Sequence, residues 1–131
     1  MRQSRLAIFA TLMLAVLLLP SCGFKRKLVS ITMIPDKATL GGPGLTLQFQ
    51  AIGNYVHPPD SRDITDSATW TSAASDVVSV DTHGLATSGE GCGTGITITA
   101  TAHSDPNDSS SGIVIGTAAV DVTCPTPPPA P

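Results

Sequence analysis

The alternation of apolar and polar residues predicts an all-β sandwich of about seven short strands behind a cleaved leader. Two observations carry this. From position 28 onward the chain reads as short alternating segments separated by Gly, Pro, Asp and Ser. No stretch sustains the 3.6-residue apolar period of an amphipathic helix.

The leader comes first. Met1-Arg2-Gln3-Ser4-Arg5 is positively charged and runs into an unbroken apolar stretch, Leu6 to Leu19, closed by Pro20-Ser21-Cys22. A run of about 14 residues is too short to span a bilayer, which needs roughly 20, so the segment reads as a removable secretory signal. Leu19-Pro20-Ser21-Cys22 resembles the lipobox of bacterial lipoproteins, with a branched apolar residue, then a small residue directly before cysteine. Pro20 departs from the usual residue at its position. The resemblance implies cleavage after residue 21 and lipidation of Cys22 with a thioether-linked diacylglycerol, usually joined by an amide-linked fatty acid. Several acyl chains make a durable anchor where one binds marginally. Ordinary cleavage would instead leave Cys22 as a free thiol, which is unusual in a secreted chain. In Gram-negative lipoproteins an aspartate after the cysteine is associated with inner-membrane retention. Gly23 stands there, so the outer membrane or cell surface is the expected location.

Residues 22–27 form a basic tether containing Lys25, Arg26 and Lys27. These could meet anionic lipid beside the anchor, or simply stay solvated. With Arg2 and Arg5 they leave only Lys37 and Arg62 further on, whereas every Asp and Glu lies beyond position 27. The folded part is acidic. This argues against nucleic acid as a partner, because phosphate binding needs clustered Lys and Arg.

The strands follow in order. Val29, Ile31 and Met33 suggest an opening strand. Leu45, Leu47, Phe49 and Ala51 share one face of the clearest strand, with Thr46, Gln48 and Gln50 on the other. Ala68 and Trp70 mark a middle strand, and Val78 with Val80 a short one before the turn Asp81-Thr82-His83-Gly84. Ile96, Ile98, Ala100 and Ala102 alternate with threonines, and Ala118, Val120 and Val122 repeat the pattern. The tail, residues 125–131, cannot join a sheet because its prolines lack an amide hydrogen.

Residues 28–124 are similar to the bacterial immunoglobulin-like domain of group 2. The carriers are Asp63-Ile64-Thr65 through Trp70-Thr71-Ser72, then Val77-Val78-Ser79-Val80-Asp81, His83-Gly84-Leu85-Ala86-Thr87, and Gly93-Thr94-Gly95-Ile96-Thr97-Ile98-Thr99-Ala100. The loop Val56-His57-Pro58-Pro59-Asp60 and the insertion of Cys92 depart from the family pattern. The resemblance implies an immunoglobulin-like β-sandwich.

A hairpin of Ile96–Ala102 with Ile113–Val122 around Ser104–Gly112, pairing Ala102 near Val114, would place Cys92 opposite Cys124 on the inward parity of both strands. A disulfide is therefore expected between them, and an exported location would preserve it. It would offset a core poor in aromatic rings, since the whole chain has one Trp, one Tyr and three Phe.

No motif carries catalysis, and neither a cofactor nor an enzymatic activity is expected. His57, His83 and His103 are scattered, and no CxxC, HExxH or EF-hand loop occurs, so no metal site is expected. Asp60, Asp63 and Asp66 crowd one loop and Asp105 and Asp108 another. Asx-turns explain them more simply than calcium does. Gly89-Glu90-Gly91-Cys92-Gly93-Thr94-Gly95 lacks the lysine and following helix of a phosphate loop. Trp70 is expected in the core rather than as a sugar platform, leaving Tyr55 as the better exposed aromatic. The expected role is a non-enzymatic envelope or surface lipoprotein whose domain is an interaction or spacer module meeting an envelope protein or polysaccharide. The alternative is an adhesive or carbohydrate-binding module.

Overall fold

The structure, a computed structural model, describes Gly23 and residues 25–131. The leader and the lipidation candidate Cys22 lie outside the described residues. The fold is all-β, and no helix occurs among the described residues. The described residues form ten strands: β1 (Lys27–Ile34), β2 (Lys37–Leu40), β3 (Thr46–Gln48), β4 (Gln50–Val56), β5 (Asp60–Asp63), β6 (Thr69–Ser72), β7 (Val78–Val80), β8 (Leu85–Ser88), β9 (Gly93–His103) and β10 (Ile113–Val122). They form three sheets, ordered β1-β4-β5, β3-β8-β7 and β2-β10-β9-β6, an arrangement compatible with a β-sandwich.

The excess over about seven strands has two sources. The expected strand Leu45–Ala51 divides at Phe49, so that β3 pairs with β8 while β4 pairs with β1 and β5. Phe49 is fully buried at the break, and its amide donates to the Gly84 carbonyl at 2.9 Å. Leu45, expected on the core face, precedes β3 and is exposed. The second source is short edge strands. β5 reads Asp-Ser-Arg-Asp and is almost wholly exposed, so no apolar alternation marks it. It exists because β4 offers it a ladder.

One core joins the sheets. Leu28, Ile31 and Met33 of β1, with Phe49, Val78 and Ala86, gather with Ile98, Ala100, Ala118 and Val120. Trp70 completes it from β6. Val29, expected to share the inward face of β1, does not. The β1–β4 register slips between Leu28 and Ser30, so Val29 bulges outward and Leu28 takes the core position.

β1 also lies beside β10. The Leu28 amide donates to the Ser104 carbonyl at 2.7 Å, and Ser104 in turn donates to Gly112 at 2.7 Å. Further along, a Cβ on Gly116 would sit 2.7 Å from Ile31 Cγ2, so glycine lets β1 ride against β10. β2 then pairs with β10 in parallel, Ala119 facing Lys37. These contacts define two ends of the domain. At the basal end β1 and β10 begin; at the distal end β10 finishes.

The β9–β10 hairpin has the expected register, with Ala102 facing Val114. The disulfide Cys92–Cys124 is present, with Cα atoms 5.3 Å apart. Its expected inward parity is corrected. Between Val120 and Val122 the register shifts, with Thr94 and Gly95 of β9 facing Asp121. Gly95 has φ 65°, and its amide donates to the Asp121 carboxylate at 2.6 Å, which marks a glycine bulge. One extra residue reverses the parity of Cys92. Both cysteines are exposed at the distal end. The proline-rich tail beyond them forms no strand and is exposed.

Candidate functional site

The side chains singled out by sequence separate into structural and surface groups. Trp70 is buried, and its Nε1 donates to the Thr65 carbonyl at 2.8 Å. Its ring packs beneath Gly84, where a Cβ would lie 2.7 Å from Cζ2. No face is left for a sugar. Tyr55 is corrected: it is half-buried against the core and lines a shallow cleft with Ile64, Thr69, Ala102, His103 and Pro106. The β1–β4 pairing, Leu28 facing Tyr55, draws the ring inward.

The crowded carboxylates point to different partners. Asp60 pairs with the Arg62 Nε at 2.6 Å, which holds its carboxyl below the usual range. Asp63 accepts from the Thr65 hydroxyl and amide, and these bonds lower it too. Asp66 instead meets His83 Nδ1 at 2.8 Å. Asp105 accepts from the Asn107 amide at 2.9 Å, and Asp108 accepts from the Ser110 amide at 2.9 Å as well as from its hydroxyl. Such bonds are Asx-turn geometry. Among the described residues no group of three His, Cys, Asp or Glu is gathered in a way that could hold a metal ion. Of the Gly89–Gly95 segment, residues 89–92 connect β8 to β9, with the Gly89 amide donating to the Val77 carbonyl at 2.8 Å, while Gly93, Thr94 and Gly95 already belong to β9.

The His83–Asp66 pair joins residues 17 apart in sequence. It stands at the rim of a shallow cleft with Gln48, Gln50, Asp63 and Thr65. The carboxylate hydrogen bond raises the imidazole pKa above its ordinary value, with further help from the Asp66 and Asp81 charges. The hydroxyl next in sequence, Ser67, is turned away to the Ile64 carbonyl at 3.1 Å. The pair can carry a proton, yet Ser67 does not face it as a nucleophile.

A second surface gathers at the basal end. Ile113 and Ile115 project from the outer face of β10, 56% and 59% exposed, and Val29 is 49% exposed in its bulge. The β4–β5 loop places Val56, His57, Pro58 and Pro59 around a small apolar hollow. It lies beside the basic residues that open β1, because Lys27 faces Val56. Lys25 and Arg26 line a further cleft with Asp105, Pro106 and Asn107. Sequence patterning missed this surface: Ile113 and Ile115 look like ordinary strand residues, and Val29 became exposed only through the bulge.

No family model matches the chain, and no curated protein matches it.

Proposed function

We propose that this chain is an exported bacterial lipoprotein, held at a membrane by lipid on Cys22, whose domain is a non-enzymatic interaction or spacer module. The observation that best supports the reading is the threading of the domain. β1 and β10 begin at the same end, so the described chain enters the domain through Lys27 at the basal end and leaves through Cys124 at the distal end. A ten-residue strand such as β10 rises about 33 Å, so the tail would be displayed well away from the anchor.

The domain itself is best read as immunoglobulin-like, of the bacterial group 2 kind. Support comes from strand order, since the sheets β1-β4-β5, β3-β8-β7 and β2-β10-β9-β6 are compatible with a sandwich whose one layer is the four-stranded sheet and whose other layer is built from the two three-stranded ones. β1 and β2 are then halves of one first strand that crosses between layers, and β3 with β4 is one bent second strand. β5 is an addition at the edge.

Labelled palmitate tests the anchor. The full chain expressed in bacteria is expected to incorporate label and partition with membranes, and the Cys22→Ser variant to lose both. An unlabelled, soluble full chain rejects the lipoprotein reading. Co-sedimentation with cell wall and envelope polysaccharide separates the roles: saturable polysaccharide binding replaces the spacer reading with a carbohydrate-binding one.

A further inference from the structure

We infer that the basal end of the domain seats directly on an anionic phospholipid surface, so that the domain stands on the bilayer instead of swinging freely from its tether. The inference rests on the lipid anchor at Cys22 proposed above. Three features of the fold converge on it.

The first is reach. From Cys22 to Lys27 is five residues, at most about 18 Å when extended. A domain so closely tethered keeps its basal end near the headgroups.

The second is charge. Lys25, Arg26, Lys27 and Arg62 all lie at the basal end, with Asp60, Asp105 and Asp108 among them. Arg62 is paired to Asp60, whereas Lys25, Arg26 and Lys27 are exposed and form no ion pair among the described residues. The rest of the described chain holds Lys37 and seven carboxylates. An anionic surface therefore attracts the basal end and repels the remainder, and basic residues beside a bilayer are each worth a useful attraction within a Debye length.

The third is apolar exposure. Val29, Ile113 and Ile115 are exposed at this end, level with the tether because Leu28 is bonded to Ser104 and Ile31 rides on Gly116. Pro58 and Pro59 add exposed rings on the neighbouring loop. Apolar side chains flanked by cations suit the headgroup boundary, where burial and electrostatic attraction act together.

The test uses the full acylated chain in vesicles of phosphatidylcholine with phosphatidylglycerol, doped with a headgroup gadolinium chelate. Isoleucine methyl resonances report proximity. Seating predicts intensity loss at Ile113 and Ile115, while Ile34 and Ile96, toward the distal end, are spared. Vesicles of phosphatidylcholine alone, or a Lys25→Glu, Arg26→Glu, Lys27→Glu variant, should restore the Ile113 and Ile115 signals. An acylated chain whose four isoleucines broaden alike overturns the seating alone. A chain whose intact mass lacks a diacylglyceryl group on Cys22 overturns the anchor, and the seating with it.

Discussion

Gly84 and the Trp70 ring compete for one volume: a Cβ on Gly84 would lie 2.7 Å from Trp70 Cζ2 and 2.8 Å from the Phe49 carbonyl oxygen. Gly84 also has φ 76°, a left-handed conformation that disfavours any other residue. Gly84→Ala is expected to cost about 2–4 kcal/mol, combining overpacking with backbone strain. Urea unfolding followed by Trp70 fluorescence reads it directly, because Trp70 is the sole tryptophan. An unchanged midpoint would mean that the turn relaxes freely.

Thr65 connects three parts of the domain. Its hydroxyl accepts from the buried Ala51 amide at 3.0 Å and donates to Asp63, and its carbonyl holds Trp70. Thr65→Val keeps the shape but leaves the Ala51 amide unpaired, at about 1–3 kcal/mol. Chemical denaturation of the variant checks this.

The same substitution should alter acid stability. Asp63 is held below its ordinary value by the hydroxyl and amide of Thr65. Its stabilising contribution is therefore full above the unfolded value of about 3.9 and is lost as pH falls through the lower folded value. Thr65→Val should raise the Asp63 titration midpoint, measured by carboxyl carbon NMR, and flatten this part of the stability profile.

His83 behaves with the opposite sign. Asp66 raises its pKa, so the pair stabilises the fold fully below the unfolded value of about 6.5, and this is lost as pH rises through the raised folded value. Both groups are exposed, so the effect on stability is small. An NMR titration of the imidazole should move toward lower pH in Asp66→Asn. A titration that stays in place would show that the pair does not persist in solution.

The Cys92–Cys124 bond closes a separation of 32 residues, which contributes about 3.7 kcal/mol on the chain-entropy model. Because both cysteines are exposed, their removal takes little from the core. Cys92→Ser with Cys124→Ser should lower the unfolding free energy by about that amount while leaving core methyl shifts unchanged. Altered core shifts would assign the bond a packing role.

The β9–β10 hairpin was legible because isoleucine and alanine alternate with threonine over a long stretch, and one-sided burial then dictates register. The cysteine pairing followed from that register, and Trp70 was readable as core from its place on a middle strand. Other features depended on partners distant in sequence. β5 carries no apolar signal and is a strand through its neighbour β4. The bulges at Val29 and Gly95 each add one residue, which local alternation does not register, yet they turn Val29 and the disulfide outward. The His83–Asp66 pair arises where two loops meet.

What the sequence by itself determined was the all-β class, the alternating faces of β9 and β10, the cysteine partnership and the charge asymmetry between residues 25–27 and the rest of the described chain. Each depends on composition or on a period of two residues, and both are local properties. Only the tertiary structure decided where the parity slips, which edges pair, and that Val29, Ile113 and Ile115 gather at the end where the basic residues 25–27 lie. Those outcomes come from packing one sheet on another: the shape of the shared core selects among local patterns that are equally acceptable along the chain.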